Sequence, residues 1–108
     1  MSIAWIYLAI AAVFEVAFAL SMKASAGFTR LWPSLATLVG VLGGIGFLTL
    51  ALRTLPVSVG YPAWVGAGAL GTVVFGHLVF GESLTPLKLA SIGAIVVGVA
   101  GLKIASDV

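Results

Sequence analysis

The sequence predicts an all-α membrane protein with four transmembrane helices per subunit. Composition is the first reason. The 108 residues are 62% hydrophobic and only 7% charged, with a mean hydropathy of +1.30, whereas a soluble domain carries roughly 25% charged residues. The second reason is spacing: four apolar runs, at about 3–22, 33–52, 58–80 and 86–104, each approach the ~20 residues a helix needs to cross a hydrocarbon core. The third is the absence of strict polar/apolar alternation, which a membrane β-barrel requires. Backbone groups in lipid must be satisfied within each segment, so the runs are read as helices. The whole chain, 1–108, is read as one four-helix domain.

The first run contains a single charge, Glu15, before Lys23. A cleaved signal peptide is not expected here. The start "MSIAWIYL" has no basic region, the run is about twenty residues long, and signal cores do not normally carry a glutamate. The second run follows "KASAGFTR" and opens at Pro33. The third follows "RTLPVS", and the fourth follows "GESLT" and opens at Pro86. A proline at a helix start removes an N–H that has no partner anyway. The connections are too short to hold a site outside the bilayer.

Charge does not set one orientation. Arg53 and Lys103 fall on one side, and Lys23, Arg30 and Lys88 on the other, with Glu82 nearby. The positive-inside rule acts through an excess of Lys and Arg, and this distribution has almost none. Such a chain can insert both ways, and opposite-facing copies can then pair as an antiparallel dimer. A weak bias with one orientation remains the alternative. The scattered basic residues form no nucleic-acid-binding patch.

Fourteen glycines supply the small surfaces on which membrane helices pack. Gly40 and Gly44 repeat at four-residue spacing in the second run, as do Gly68, Thr72 and Gly76 in the third. Ala94 and Gly98 do so in the fourth, which is read as a packing or dimerisation element.

Glu15 is the leading candidate for chemistry. An acid at the centre of a membrane helix costs about 2.5–3.5 kcal/mol on insertion scales and normally faces a cavity or a partner. Desolvation penalises the charged form of any acid, so a carboxyl group there can trade a proton for a cation. The alternative is a neutral glutamic acid hydrogen-bonded between helices. Phe18 and Met22 follow at helical spacing and are expected to line the same site. Tyr61 and Trp64 are three residues apart on the third run. They suit an organic cation through their ring faces, or an interfacial aromatic belt. Pro62, Gly66 and Gly68 predict a bend in that helix. His77 is about 160° around the helix from Tyr61 and reads as an interfacial residue. Lys23 and Lys103 end their helices and are expected to snorkel.

No cysteine is present. One histidine and one membrane acid make no chelating set, and no nucleophile stands beside a base and an orienting group. Neither a metal site nor an enzyme is expected.

The segments "FEVAFALSMKASAGFTRLWPS" (14–34), "LPVSVGYPAWVGAGALG" (55–71) and "FGESLTPLK" (80–88) together resemble the small multidrug resistance family over essentially the whole chain. The resemblance implies four-helix subunits paired antiparallel in a bacterial inner membrane. It also implies proton-coupled export of small organic cations, driven by a proton gradient without a cofactor. Carried onto this chain, Glu15 is the shared proton and cation site, lined or gated by Tyr61 and Trp64. The "GALG" after Trp64 looks like the guanidinium-exporter branch rather than the quaternary-ammonium branch. The resemblance also marks three departures. Guanidinium exporters carry Trp where this chain has Phe18, Ser where it has Gly44, and Ala-Ile where it has Pro62-Ala63. Loss of the indole and the hydroxyl favours bulkier, less polar cations. It also fits one subunit of a heterodimeric exporter, inactive or regulatory without a related partner chain.

Overall fold

The computed structural model describes residues 3–106. They form α1 (Ile3–Ala24), α2 (Leu31–Ala51), α3 (Val57–Phe80) and α4 (Pro86–Ser106), all long and apolar enough to span a bilayer. Boundaries differ slightly from the apolar runs. α1 continues past Lys23, and α2 begins two residues before Pro33, with extended Arg30 at its N-cap. Pro33 thus sits in the first turn, where a backbone N–H has no intrahelical acceptor.

The helices lie as neighbours in the order α2, α1, α3, α4. α1 packs on α2 and α3, α4 packs on α3, and α2 meets α3 only marginally. The envelope measures 43 × 34 × 18 Å, a slab that leaves apolar side chains such as Leu38, Leu42, Leu78 and Val97 exposed.

Small residues set the helix separations. A Cβ on buried Gly40 would lie 2.7 Å from the Phe18 Cβ, so α2 rests against the α1 backbone there. Gly66 does the same for α4, since a Cβ on it would come within 2.7 Å of Val99 and 3.1 Å of Ile95. In lipid such close approach gains the dispersion contacts that hold helices together. α4 itself has no buried residue among those described. Ala94 and Gly98 are exposed on it, and a Cβ on Gly98 would meet nothing within 4 Å.

The α1–α2 corner is built on Ser25, which is 0% exposed. Its hydroxyl donates to Met22 O at 2.6 Å and accepts from Phe28 N at 3.0 Å. Its carbonyl accepts from Thr29 N and Arg30 N. Ala26, Gly27 and Phe28 all have positive φ, at 50°, 75° and 64°, a conformation that disfavours side chains other than glycine. The hydrogen bonds to Ser25 hold that backbone in place.

Candidate functional site

Glu15 lies midway along α1, on the stripe that faces α3. Its carboxylate rests on the backbone of Gly68, and a Cβ there would overlap it. The carboxylate Oε2 is buried and accepts no hydrogen bond from any described residue. An acid left in this state is under-satisfied within its own protomer, and a buried acceptor without a donor is costly. The described residues thus bring that oxygen a glycine backbone and no hydrogen-bond donor.

One turn toward the start of α1, Trp64 is buried and its indole Nε1 donates to the Ala11 carbonyl at 3.0 Å. The same carbonyl closes the α1 turn ending at Glu15. Ala11 and Glu15 are four residues apart, as are Trp64 and Gly68. The two helices therefore keep a common register along a parallel seam. The indole is engaged with the backbone and does not bond Glu15. Tyr61 meets Trp64 edge-on, with centroids 5.4 Å apart and planes at 71°. It is 49% exposed, and no hydrogen bond among the described residues joins its hydroxyl to Glu15.

Phe18 and Gly44 come together on the other side of α1. The Phe18 backbone packs on Gly40, and its Cε2 lies 3.6 Å from a Cβ built on Gly44. Phe18 is thus held over α2 while Glu15 is held over α3. Met22 is exposed one turn further on, its carbonyl occupied by Ser25. Pro62 sits in the second turn of α3, which runs unbroken through it. Ser58 O is consequently left without its usual i+4 donor. Gly66 and Gly68, expected to loosen this helix, are the points where α4 and Glu15 approach its backbone.

At the far end of the seam, Lys23 is not a solitary snorkelling side chain. Its Nζ forms an ion pair with the Glu82 carboxylate and lies 5.0 Å from the Phe80 ring centroid. Glu82 also packs against Gly76, where a Cβ would meet it, and its carbonyl is 2.6 Å from His77 Nδ1. The hydrogen bond from Lys23, aided by the Lys23 and Lys88 charges, holds the Glu82 carboxyl below its usual value of 4.5 against the opposing effect of burial. Lys103 lies over Trp5, 5.5 Å from its ring centroid.

Sequence patterns indicated Glu15, Trp64 and Gly68 separately. They did not show that Gly68 seats Glu15 or that Trp64 binds a carbonyl, since both relations depend on the α1–α3 register. The Lys23–Glu82 pair spans 59 residues, and its traces in the sequence are opposite charge and placement on one side of the membrane.

Comparison with known proteins places these features in context. The model of the family described as Small Multidrug Resistance protein matches residues 3–95. A guanidinium exporter of Citrobacter freundii is 45% identical over 102 residues, covering 94% of this chain and 97% of that protein. Guanidinium exporters of Proteus vulgaris and Yersinia pestis are each 43% identical, the first over 94% of this chain and 98% of its own length, the second over 95% and 99%.

Proposed function

The chain belongs to the small multidrug resistance family, and from that premise we propose that it is a proton-coupled antiporter exporting small organic cations across a bacterial inner membrane. The observation that carries this reading is the buried, donor-free carboxylate oxygen of Glu15 on its glycine seat. The relatives named as guanidinium exporters support a small cation as the substrate.

Competition at one carboxylate is sufficient for coupling. A cation binds when Glu15 is ionised, and a proton displaces it. If the site changes sides carrying either ligand but not when empty and charged, proton entry drives cation exit. Tyr61, half exposed and edge-on to Trp64, offers a ring and a phenol to a cation on its way to Glu15, about two turns along α3 from the Gly68 seat. Trp64 holds α3 to the turn that carries the acid. Phe18, Gly44 and Met22 form the apolar flank toward α2 and the α1 terminus. Pro62 gives α3 a place to bend.

The working unit is an antiparallel pair. Helices in lipid associate through small residues, and α4 carries Ala94 and Gly98 exposed at four-residue spacing, with nothing in the protomer within 4 Å of a Cβ on Gly98. A second copy, inverted, supplies the partner for these residues and a second Glu15.

The substrate is taken to be a cation bulkier and less polar than bare guanidinium, because Phe18 and Gly44 bring neither N–H nor hydroxyl to the flank. Purified chain in liposomes with an imposed pH gradient tests the proposal, using guanidinium, a guanidinyl metabolite and a bulky quaternary ammonium. Uptake that collapses in Glu15→Gln supports it. Retained coupled transport in that variant overturns the role of Glu15. No uptake by the chain alone would assign it to a heterodimer completed by a related chain.

A further inference from the structure

The α1–α3 seam is fastened on both sides of Glu15 by contacts of opposite character. On one side, Trp64 donates to the Ala11 carbonyl in a buried, neutral contact. On the other, Lys23 pairs with Glu82, and both side chains are about half exposed, at 54% and 43%. Lys23 lies eight residues beyond Glu15, about 12 Å along the helix at 1.5 Å per residue. Next to this pair, a cavity of about 460 Å³ opens between α3 and α4, lined in part by Glu82, Lys88, Ser91 and Thr72. Thr72 stands one turn beyond Gly68, so the cavity reaches within a turn of the Glu15 seat from the membrane face that carries Glu82.

We infer that Lys23 and Glu82 are positioning residues for transport: their ion pair closes the seam at this face, and its parting opens Glu15 to water through the cavity at Thr72. The inference rests on the proposed role of Glu15 but concerns different residues. Three observations carry it. First, the pair joins the end of the Glu15 helix to the loop leading into α4, and Glu82 itself lines the cavity, so the contact stands where the cavity meets the α1–α3 seam. Second, Glu82 is set for this contact: its side chain packs on Gly76 and its carbonyl lies at His77 Nδ1. Third, an exposed ion pair adds little to folding stability, which suits a contact made and broken in each cycle. The Trp64 contact, buried and uncharged, is the fixed end about which the seam parts.

The absence of cysteine permits a direct test in nanodiscs, where both faces are wetted. Ala19 is one turn from Glu15 and one from Lys23 on the same stripe of α1. A single Ala19→Cys substitution is labelled with a membrane-impermeant sulfonate thiosulfonate reagent. Glu82→Gln or Lys23→Gln is expected to raise the labelling rate about two- to fivefold, the range an exposed ion pair confers on an opening equilibrium. The charge swap, Lys23→Glu with Glu82→Lys, is expected to restore protection. Ala63→Cys, beside Trp64, should keep its rate in all variants. An unchanged Ala19→Cys rate in both neutral variants, an equal rise at Ala63→Cys, or failure of the swap to restore protection each overturns the inference. Flux lost in Glu15→Gln tests the transport reading separately, because the labelling does not depend on transport.

Discussion

Glu15 and Gly68 are in direct contact: the carboxylate of one occupies the space that any side chain on the other would fill. The acid is thus placed by what α3 lacks as much as by what α1 carries.

Gly68→Ala is expected to displace the carboxylate while leaving the fold intact, because the colliding atoms are the end of a flexible side chain. Cation affinity should fall by about tenfold or more, equivalent to roughly 1.4 kcal/mol, with unchanged insertion and helicity. Binding measurements and circular dichroism on the same preparation check this. Gly98→Ala, where a Cβ meets nothing within the protomer, should preserve the Glu15 seat and alter only self-association.

Trp64→Phe removes the donor to the Ala11 carbonyl and keeps a ring in place. Hydrogen bonds between membrane helices are worth about 0.6 kcal/mol on average, and a loss of that order is expected in unfolding titrations. The larger effect should be on flux, since the turn that carries Glu15 loses its tie to α3.

Gly44→Ser should be accommodated, because a Cβ there meets its nearest neighbours at 3.4–3.6 Å, ordinary contact distances. Combined with Phe18→Trp, it returns a hydroxyl and an indole to the α2 flank. The ratio of guanidinium to quaternary-ammonium transport should rise in the double variant. An unchanged or reversed ratio would remove Phe18 and Gly44 from the account of specificity.

The Lys23–Glu82 pair has a pH signature. The Glu82 carboxyl is held below 4.5, chiefly by the hydrogen bond from Lys23. A depressed carboxylate adds stability that is present above its unfolded value and disappears as pH falls through the folded one. The pair should therefore persist at mildly acid pH and be lost only below 4.5. A carbon-detected titration of Glu82 is expected to show a midpoint under 4.5 that moves up toward it in Lys23→Gln.

Much of this organisation is legible in the sequence because lipid restricts the options. Four runs of about twenty apolar residues can only become helices, and Pro86 marks a helix start to the residue. Glu15 is visible for the same reason, as a charge where charge is expensive. What the sequence hides is rotational and axial register. Phe18 follows Glu15 by less than a turn, yet one side chain lies over α2 and the other over α3. Gly66 and Gly68 suggest flexibility when read in line, but each is a point of close approach to another helix. Lys23 and Glu82 look like separate solvated ends until the parallel alignment of α1 and α3 brings them together.

The Ser25 corner has a mechanical consequence. With its serine fully buried and left-handed Ala26 and Phe28 both donating hydrogen bonds within the corner, the link from α1 to α2 is short and internally bonded. If ligand exchange at Glu15 twists α1 about its axis, α2 is expected to turn with it as one rigid body. Spin labels on these two helices should keep a constant separation through the cycle, while labels on α1 and α4 should not.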